Sequence, residues 1–306
     1  MIAVFCVIAC LAAIAERLWP LRPQPIFRRG FLTDVTYTGV NILLRVVLTN
    51  SVGQAFVWLG AASLPASMAG LLVGQPFWVQ LAATVLVVDF FAYWMHRGKH
   101  AWPRWWRLHE AHHSSRELDW LSSVRFHPVE KIVDRLIYLA PLTVLGPSPE
   151  ALLGLAIVDA AIATASHSNC DFRIGPLIYV FVGPEMHRWH HARGEVHQQR
   201  NFGNNLSIFD WLFGTAEVPA TPPRLLGLDD DGYPVAGFRA QLVHAFRPFG
   251  EAEPSRSPVG SDTWAPMPVV DHTAKGSDAD GQSAGDLAPT SVRSRMRSGP
   301  SRQTGT

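Results

Sequence analysis

Residues 77–113 read FWVQLAATVLVVDFFAYWMHRGKHAWPRWWRLHEAHH. The first part, 77–95, is an apolar run with a single charge, Asp89, and approaches the ~20 residues that cross a hydrocarbon core. His96 and His100 follow at once. If the helix continues, positions i and i+4 share one face, one turn apart. The stretch ends in His109-Glu110-Ala111-His112-His113, whose spacings of three and four again favour one side of a helix. The same HxxHH pattern recurs at His187-Arg188-Trp189-His190-His191. Eleven of the thirteen histidines lie between 96 and 197. The expectation is an all-α, multi-span helical membrane protein whose histidine boxes sit on a cytoplasmic helical cap.

The rest of the chain fits that expectation. Charged residues make up 17% and hydrophobic ones 48%, against about 25% charged in soluble domains. The net charge of +1 gives no electrostatic case for nucleic acid. Residues 1–19 are apolar up to Glu16-Arg17, with no basic stretch ahead of them, and read as a span rather than a cleaved leader. Residues 35–60 form a second apolar stretch, interrupted by Arg45. Residues 136–166 are apolar but broken by Pro141, Gly146, Pro147 and Pro149. Two half-length helices dipping in and out fit that pattern, with two tightly joined spans as the alternative. Arg17, Arg22, Arg28 and Arg29 crowd segment 17–30, segment 61–76 has no charge, and 97–131 is rich in Arg and Lys. The positive-inside rule then places 17–30 and everything after about 96 on the cytoplasmic side. Cys6, Cys10 and Cys170 are too scattered for a disulfide framework. From 251 onward Pro, Ser, Gly, Asp and Arg dominate, as in a disordered tail. The expected organisation is a span and basic loop over 1–34, a membrane-embedded catalytic domain over 35–250, and a tail over 251–306.

Eight imidazoles in three boxes exceed what one metal needs. They suit two metals held between facing helices, by analogy with carboxylate di-iron bundles. Imidazole serves zinc, copper, iron and nickel. Structural zinc sites usually include cysteine, and these boxes have none. His109, Glu110 and His113 satisfy the HExxH pattern of zinc proteases, but that reading leaves His96, His100, His187, His190 and His191 without a role. A bis-histidine haem needs fewer ligands. A metal-free polar patch would suffer repulsion once some rings were protonated.

At these boxes the sequence resembles the fatty acid hydroxylase/sterol desaturase superfamily. The resemblance runs from about Arg28 to Thr215. It includes Arg28 to Asp34, Asp89 to Arg97, Arg125-Phe126-His127-Pro128 and His167-Ser168-Asn169. It continues through Pro184 to His191 and Asn201 to Thr215. It implies two iron ions, O₂ as co-substrate, a lipid substrate from the bilayer and electrons from a separate donor. His96, His100, His109, His112, His113, His187, His190 and His191 match the family's ligand boxes, and His167 matches a further ligand between the second and third. Ser166 and Ala163 stand where some members carry an extra histidine.

His197, six residues beyond His191, is a candidate to complete the ligand set. Ligating histidines usually donate their other N–H to a carboxylate or carbonyl. Asp89, Asp171 and Asp210 are candidates for that task, and His127 and Asn169 are expected behind the ligands. Trp102, Trp105 and Trp106 read as a path for the lipid or as an interfacial aromatic belt. With no CxxCH and no GxGxxG, the chain carries no evident haem or flavin motif, so a cytochrome- or ferredoxin-type donor is implied. The competing classes are a zinc-dependent membrane hydrolase and a non-catalytic metal-binding membrane protein.

Overall fold

The computed structural model describes residues 2–47, 69–229 and 232–247. Among them the structure is helical, and the only β features are isolated bridges such as Pro20 with Cys170. The elements that position the histidines are α1 (Ile2–Leu18), α2 (Phe31–Val47), α3 (Phe77–Ala101), α4 (Pro103–His113), α5 (Pro128–Leu145), α6 (Pro149–His167) and α7 (Pro184–His190). Shorter helices follow: α8 (Glu195–Gln198), α9 (Ile208–Leu212) and α10 (Phe238–His244). Helix α3 packs against α4, α5 and α6, while α1 and α7 both lie against α6.

Helix α3 runs without a break through the apolar segment and the first histidine box. It stops where Pro103 forces Trp102 into an extended conformation (φ −107°, ψ 120°). Pro103 then opens α4, the position where its missing N–H goes unnoticed. Helix α5 begins at Pro128, with the His127 ring accepting the Val129 amide at 3.2 Å. It ends at Gly146, whose φ of 58° favours glycine and whose Cβ position would lie 2.7 Å from the Gly70 Cα. Ser148 caps α6 by accepting the Ala151 amide at 3.3 Å.

By length and composition, α3 and α6 qualify as membrane-crossing helices. The second apolar stretch begins as α2 at Phe31, and residues 48–60 of it lie outside the described residues. The segment 136–166 differs from the half-length reading. It forms parts of two helices of 18 and 19 residues, joined by residues 146–148. Pro141 sits inside α5 rather than ending it, and the break falls at Gly146-Pro147. Eight further residues with four charges, Glu130, Lys131, Asp134 and Arg135, extend α5 at its N-terminus. A purely apolar criterion misses that extension. The tail 251–306 lies outside the described residues. Cys6, Cys10 and Cys170 are free thiols, as their scatter implies.

A buried ion network ties α2 to the segment before α5. Arg28 donates to Asp34 at 2.7 Å and to Asp119 at 2.7 Å, and Arg125 is paired with Asp34 and donates to Ser114 at 2.9 Å. Gly30 is required here, because its φ is 86° and a Cβ would lie 2.6 Å from an Arg125 nitrogen. Breaking a buried charge pair from one side strands the other side, at about 3–5 kcal/mol. Asp34→Ala is therefore expected to lower the melting temperature of the detergent-solubilised protein markedly, while Asp171→Ala, at an exposed carboxylate, leaves it unchanged.

Candidate metal centre

The histidines converge into two groups. His96, His100, His109, His113 and His190 each offer a nitrogen such that all five lie within 4.8 Å of one another. His112, His167, His187 and His191 do the same. Eight of the nine side chains are buried and His96 is half-buried. The groups gather where α3 and α6 end: His96 and His100 close α3, and His167 closes α6. Each HxxHH box is shared. His109 and His113, four apart, go to the first group and His112 to the second; His187 and His191 go to the second and His190 to the first. The two boxes thus serve the two groups in mirrored fashion: helical periodicity turns adjacent rings to different sides, and the facing helices set which group each ring joins.

The ring orientations are fixed from behind. His96 Nδ1 donates to the Phe202 carbonyl at 2.9 Å, His190 Nδ1 to Arg200 at 2.7 Å, His112 Nδ1 to Arg125 at 3.2 Å and His167 Nδ1 to Ala163 at 2.8 Å. His109 Nδ1 donates to the Glu130 carboxylate at 2.8 Å. With Nδ1 carrying the proton, each of these rings presents a bare Nε2 lone pair to its group. Those lone pairs face one another: His96 to His109 at 3.1 Å, His190 to His96 at 3.0 Å and His167 to His112 at 3.4 Å. Two bare nitrogens at such distances repel. Two nitrogens ~2.1 Å from a shared divalent ion lie ~3.0 Å apart at a right angle and ~3.4 Å apart at a tetrahedral one. The buried ring nitrogens of His100 and His113, and Nδ1 of His187 and His191, have no hydrogen-bond partner. The residues therefore fit a metal in each group.

Burial holds the imidazoles of α4 and the third box neutral. His112, His113, His187 and His191 are pushed well below the ordinary histidine range by burial, aided by neighbouring rings, and His190 is pushed down to about 3, mainly by burial. His109 is lowered too, with Glu130 opposing the effect of burial. Neutral imidazole is the ligating form.

The other expected residues stand further back. His197 joins neither group: it lies 3.1 Å from Glu217 and packs on Trp189. Asp89 does not reach His96. Its carboxylate accepts the backbone amides of Asn205 at 3.0 Å and Leu206 at 2.6 Å. Asp210 likewise accepts the amides of Phe202 and Gly203 at 2.7 and 2.8 Å. Together they hold the 200–206 loop, whose carbonyls orient His96 and His190. Asn201, with φ of 58°, donates to the Met186 carbonyl at 2.9 Å and anchors that loop to α7. His127 serves as the cap of α5, with Nε2 3.4 Å from the Leu242 carbonyl, and Asn169 brackets Arg22 through both backbone polar groups. Asp171 is exposed. Sequence reasoning passed over Glu130 and Phe126, the latter stacked on His112 at 4.1 Å. The available signal was an acid three residues after His127 at the start of an apolar helix. Trp106 lies against His100 and His113 at 4.9 and 5.3 Å, while Trp102 is exposed.

A family model described as fatty acid hydroxylase matches residues 81–215, which include every histidine of the two groups. The ornithine lipid hydroxylase OlsE of Rhizobium tropici is 30% identical over 253 residues, covering 78% of this chain and 71% of that protein. The chain belongs to the fatty acid hydroxylase/sterol desaturase superfamily. Other relatives in this superfamily match over shorter stretches. Alkylglycerol monooxygenase of Xenopus tropicalis is 29% identical over 53% of this chain and 35% of its own length, and human lathosterol oxidase is 26% identical over 47% and 46%. No solved structure matches the chain.

The depressed histidines have a measurable consequence. The unfolded chain binds protons on them below about pH 6.5 and the folded chain resists, so the metal-free fold loses stability as the pH falls beneath that value. Above it, both states are neutral at these rings and the contribution is flat. Thermal unfolding of metal-free protein should show no change between about pH 8 and 7 from this source and a progressive fall in melting temperature below about 6.5.

Proposed function

We propose that this protein oxidises C–H bonds of a membrane lipid with O₂ at a histidine-ligated di-iron centre, drawing electrons from a separate cytochrome- or ferredoxin-type donor. The observation that carries this reading is the pair of imidazole groups, five and four rings, with their lone pairs turned on one another and no cysteine or carboxylate among the donors. The relatives bearing this arrangement's family signature are named as a lipid hydroxylase, a monooxygenase and a sterol oxidase.

A reduced iron pair supplies O₂ activation, for which the balance is R–H + O₂ + 2e⁻ + 2H⁺ → R–OH + H₂O. The protein's share lies in placement. The Nδ1 donations to Phe202, Arg200, Arg125 and Ala163 fix the ring planes and leave each Nε2 lone pair available as a ligand. The donor groups lie at one end of α3 and α6, so a lipid can present a carbon near the headgroup level while its chains stay in the bilayer. Trp106 covers one flank of the five-histidine group and helps exclude water there. Ligands gathered at one end of the spans also argue against a transport path, which needs polar groups along the membrane. The arginines of 17–30 and the basic residues of 97–131 support a cytoplasmic position for this end, within reach of a reductant.

The zinc hydrolase alternative needs Glu110 as its general base, and that carboxylate is engaged by Arg107 at 3.9 Å and His244 at 3.6 Å.

Detergent-purified protein is expected to bind about two irons per chain. His112→Ala should cut lipid oxidation by more than ~100-fold and reduce bound iron. Oxygen from isotopically labelled O₂ should appear in the lipid product. One zinc per chain in protein produced with ample iron, or product oxygen derived from water, would sink the proposal.

A further inference from the structure

The surroundings of the two histidine groups are unequal. Behind the five-histidine group, Glu130 Oε1 accepts from His109 Nδ1 at 2.8 Å and from Lys99 Nζ at 2.9 Å. Lys99 also donates to Asp134 at 2.8 Å. All three side chains are buried, Lys99 and Asp134 at 4% exposure and Glu130 at 1%. Lys99 stands between His96 and His100 on α3, and Glu130 and Asp134 are one turn apart on α5. Lys99 is shared between the two carboxylates, and Lys131, 37% exposed, lies 3.7 Å from Asp134 at the outer end of the network. Of the two carboxylates, Glu130 is the one that meets a histidine of the group.

The four-histidine group has no such support. His112 and His167 donate to the Arg125 and Ala163 carbonyls, and Nδ1 of His187 and His191 has no partner. A ring that donates to a carboxylate is a stronger ligand than one that donates to a carbonyl, because the anion draws the Nδ1 proton and enriches the ring in electrons. The Lys99 ammonium occupies the same carboxylate oxygen and holds Glu130 on the outer side of His109 rather than among the donors.

We propose that Glu130 is a positioning residue that makes the two metal positions unequal. Acting through His109, and locked by Lys99, it gives the five-histidine position the tighter hold on its ion and the greater preference for the oxidised state. This rests on the two-metal reading above.

The test is Mössbauer spectroscopy and anaerobic iron titration of the full-length protein in detergent, loaded with iron-57. The wild type should give two quadrupole doublets of equal area. Glu130→Gln keeps the shape and an oxygen able to accept from His109, but removes the charge. It should shift one doublet only and weaken one of the two irons by about 10–100-fold. Asp134→Asn removes a neighbouring buried charge, leaves the Glu130–His109 bond intact, and should keep both irons and both doublets. If Glu130→Gln does not fold, Glu130→Asp, which retains the charge but withdraws the oxygen, should still move a single doublet. Unchanged spectra and affinity in the Glu130 variants, or one and the same loss of both irons in the Glu130 and Asp134 variants, would overturn the proposal. A wild type with two equivalent irons would do so too. Fewer than two irons in the wild type would instead defeat the two-metal reading itself.

Discussion

Nine imidazoles are packed in two groups, and in five of them a hydrogen bond at Nδ1 turns the bare Nε2 toward neighbouring rings. Water would solvate such nitrogens, but burial removes it, and in α4 and the third box burial also keeps the rings from taking protons. A cation at the focus of each group would convert the contacts of 3.0–3.4 Å between bare nitrogens from repulsive to binding. The fold would then hold, before any metal arrives, an arrangement whose energy a bound metal recovers. Holding it takes rigid helices and a fixed hydrogen-bond acceptor behind each of five rings.

Those acceptors are mostly backbone carbonyls, so the site depends on loop geometry as much as on side chains. Arg125 shows how one residue serves both purposes. Its side chain is locked by Asp34 and Ser114, and its carbonyl orients His112. Asp89 and Asp210 do the same for the 200–206 loop, each by gripping backbone amides. Carboxylates that look from their spacing like partners for histidine are here partners of the loop that partners the histidine. Among the described residues, the carboxylate that does meet a clustered histidine, Glu130, is placed against a single group and breaks the near-symmetry of the two HxxHH boxes.

The site's position follows from where the apolar helices stop. Helix α3 carries its apolar length straight into the first box, and α6 delivers His167 at its last residue. Pro103 ends α3 and starts α4 in one step, which turns the second box back toward the first. Apolar side chains such as Val7, Leu11 and Ile14 of α1 and Leu43 of α2 remain exposed. Under the membrane-embedded reading proposed above, lipid tails would cover such side chains without a protein partner.

The sequence alone determined the helical class, the family and the nine histidines that meet, because helical spacing is a local property and imidazole clusters have few other uses. It also marked the chain break at Gly146-Pro147, where backbone sterics act on adjacent residues. Tertiary structure alone decided which histidine joins which group. Residues 109, 112 and 113 share a helix face in sequence, yet the 100° step between neighbouring positions sends His112 and His113 to different groups, and only the facing helices reveal it. His197 carries the right chemistry in the right stretch but is drawn to Glu217, a contact no spacing foretells. Glu130 became visible as His109's partner only when α5 was laid beside α4, because a contact between helices depends on packing and not on distance along the chain.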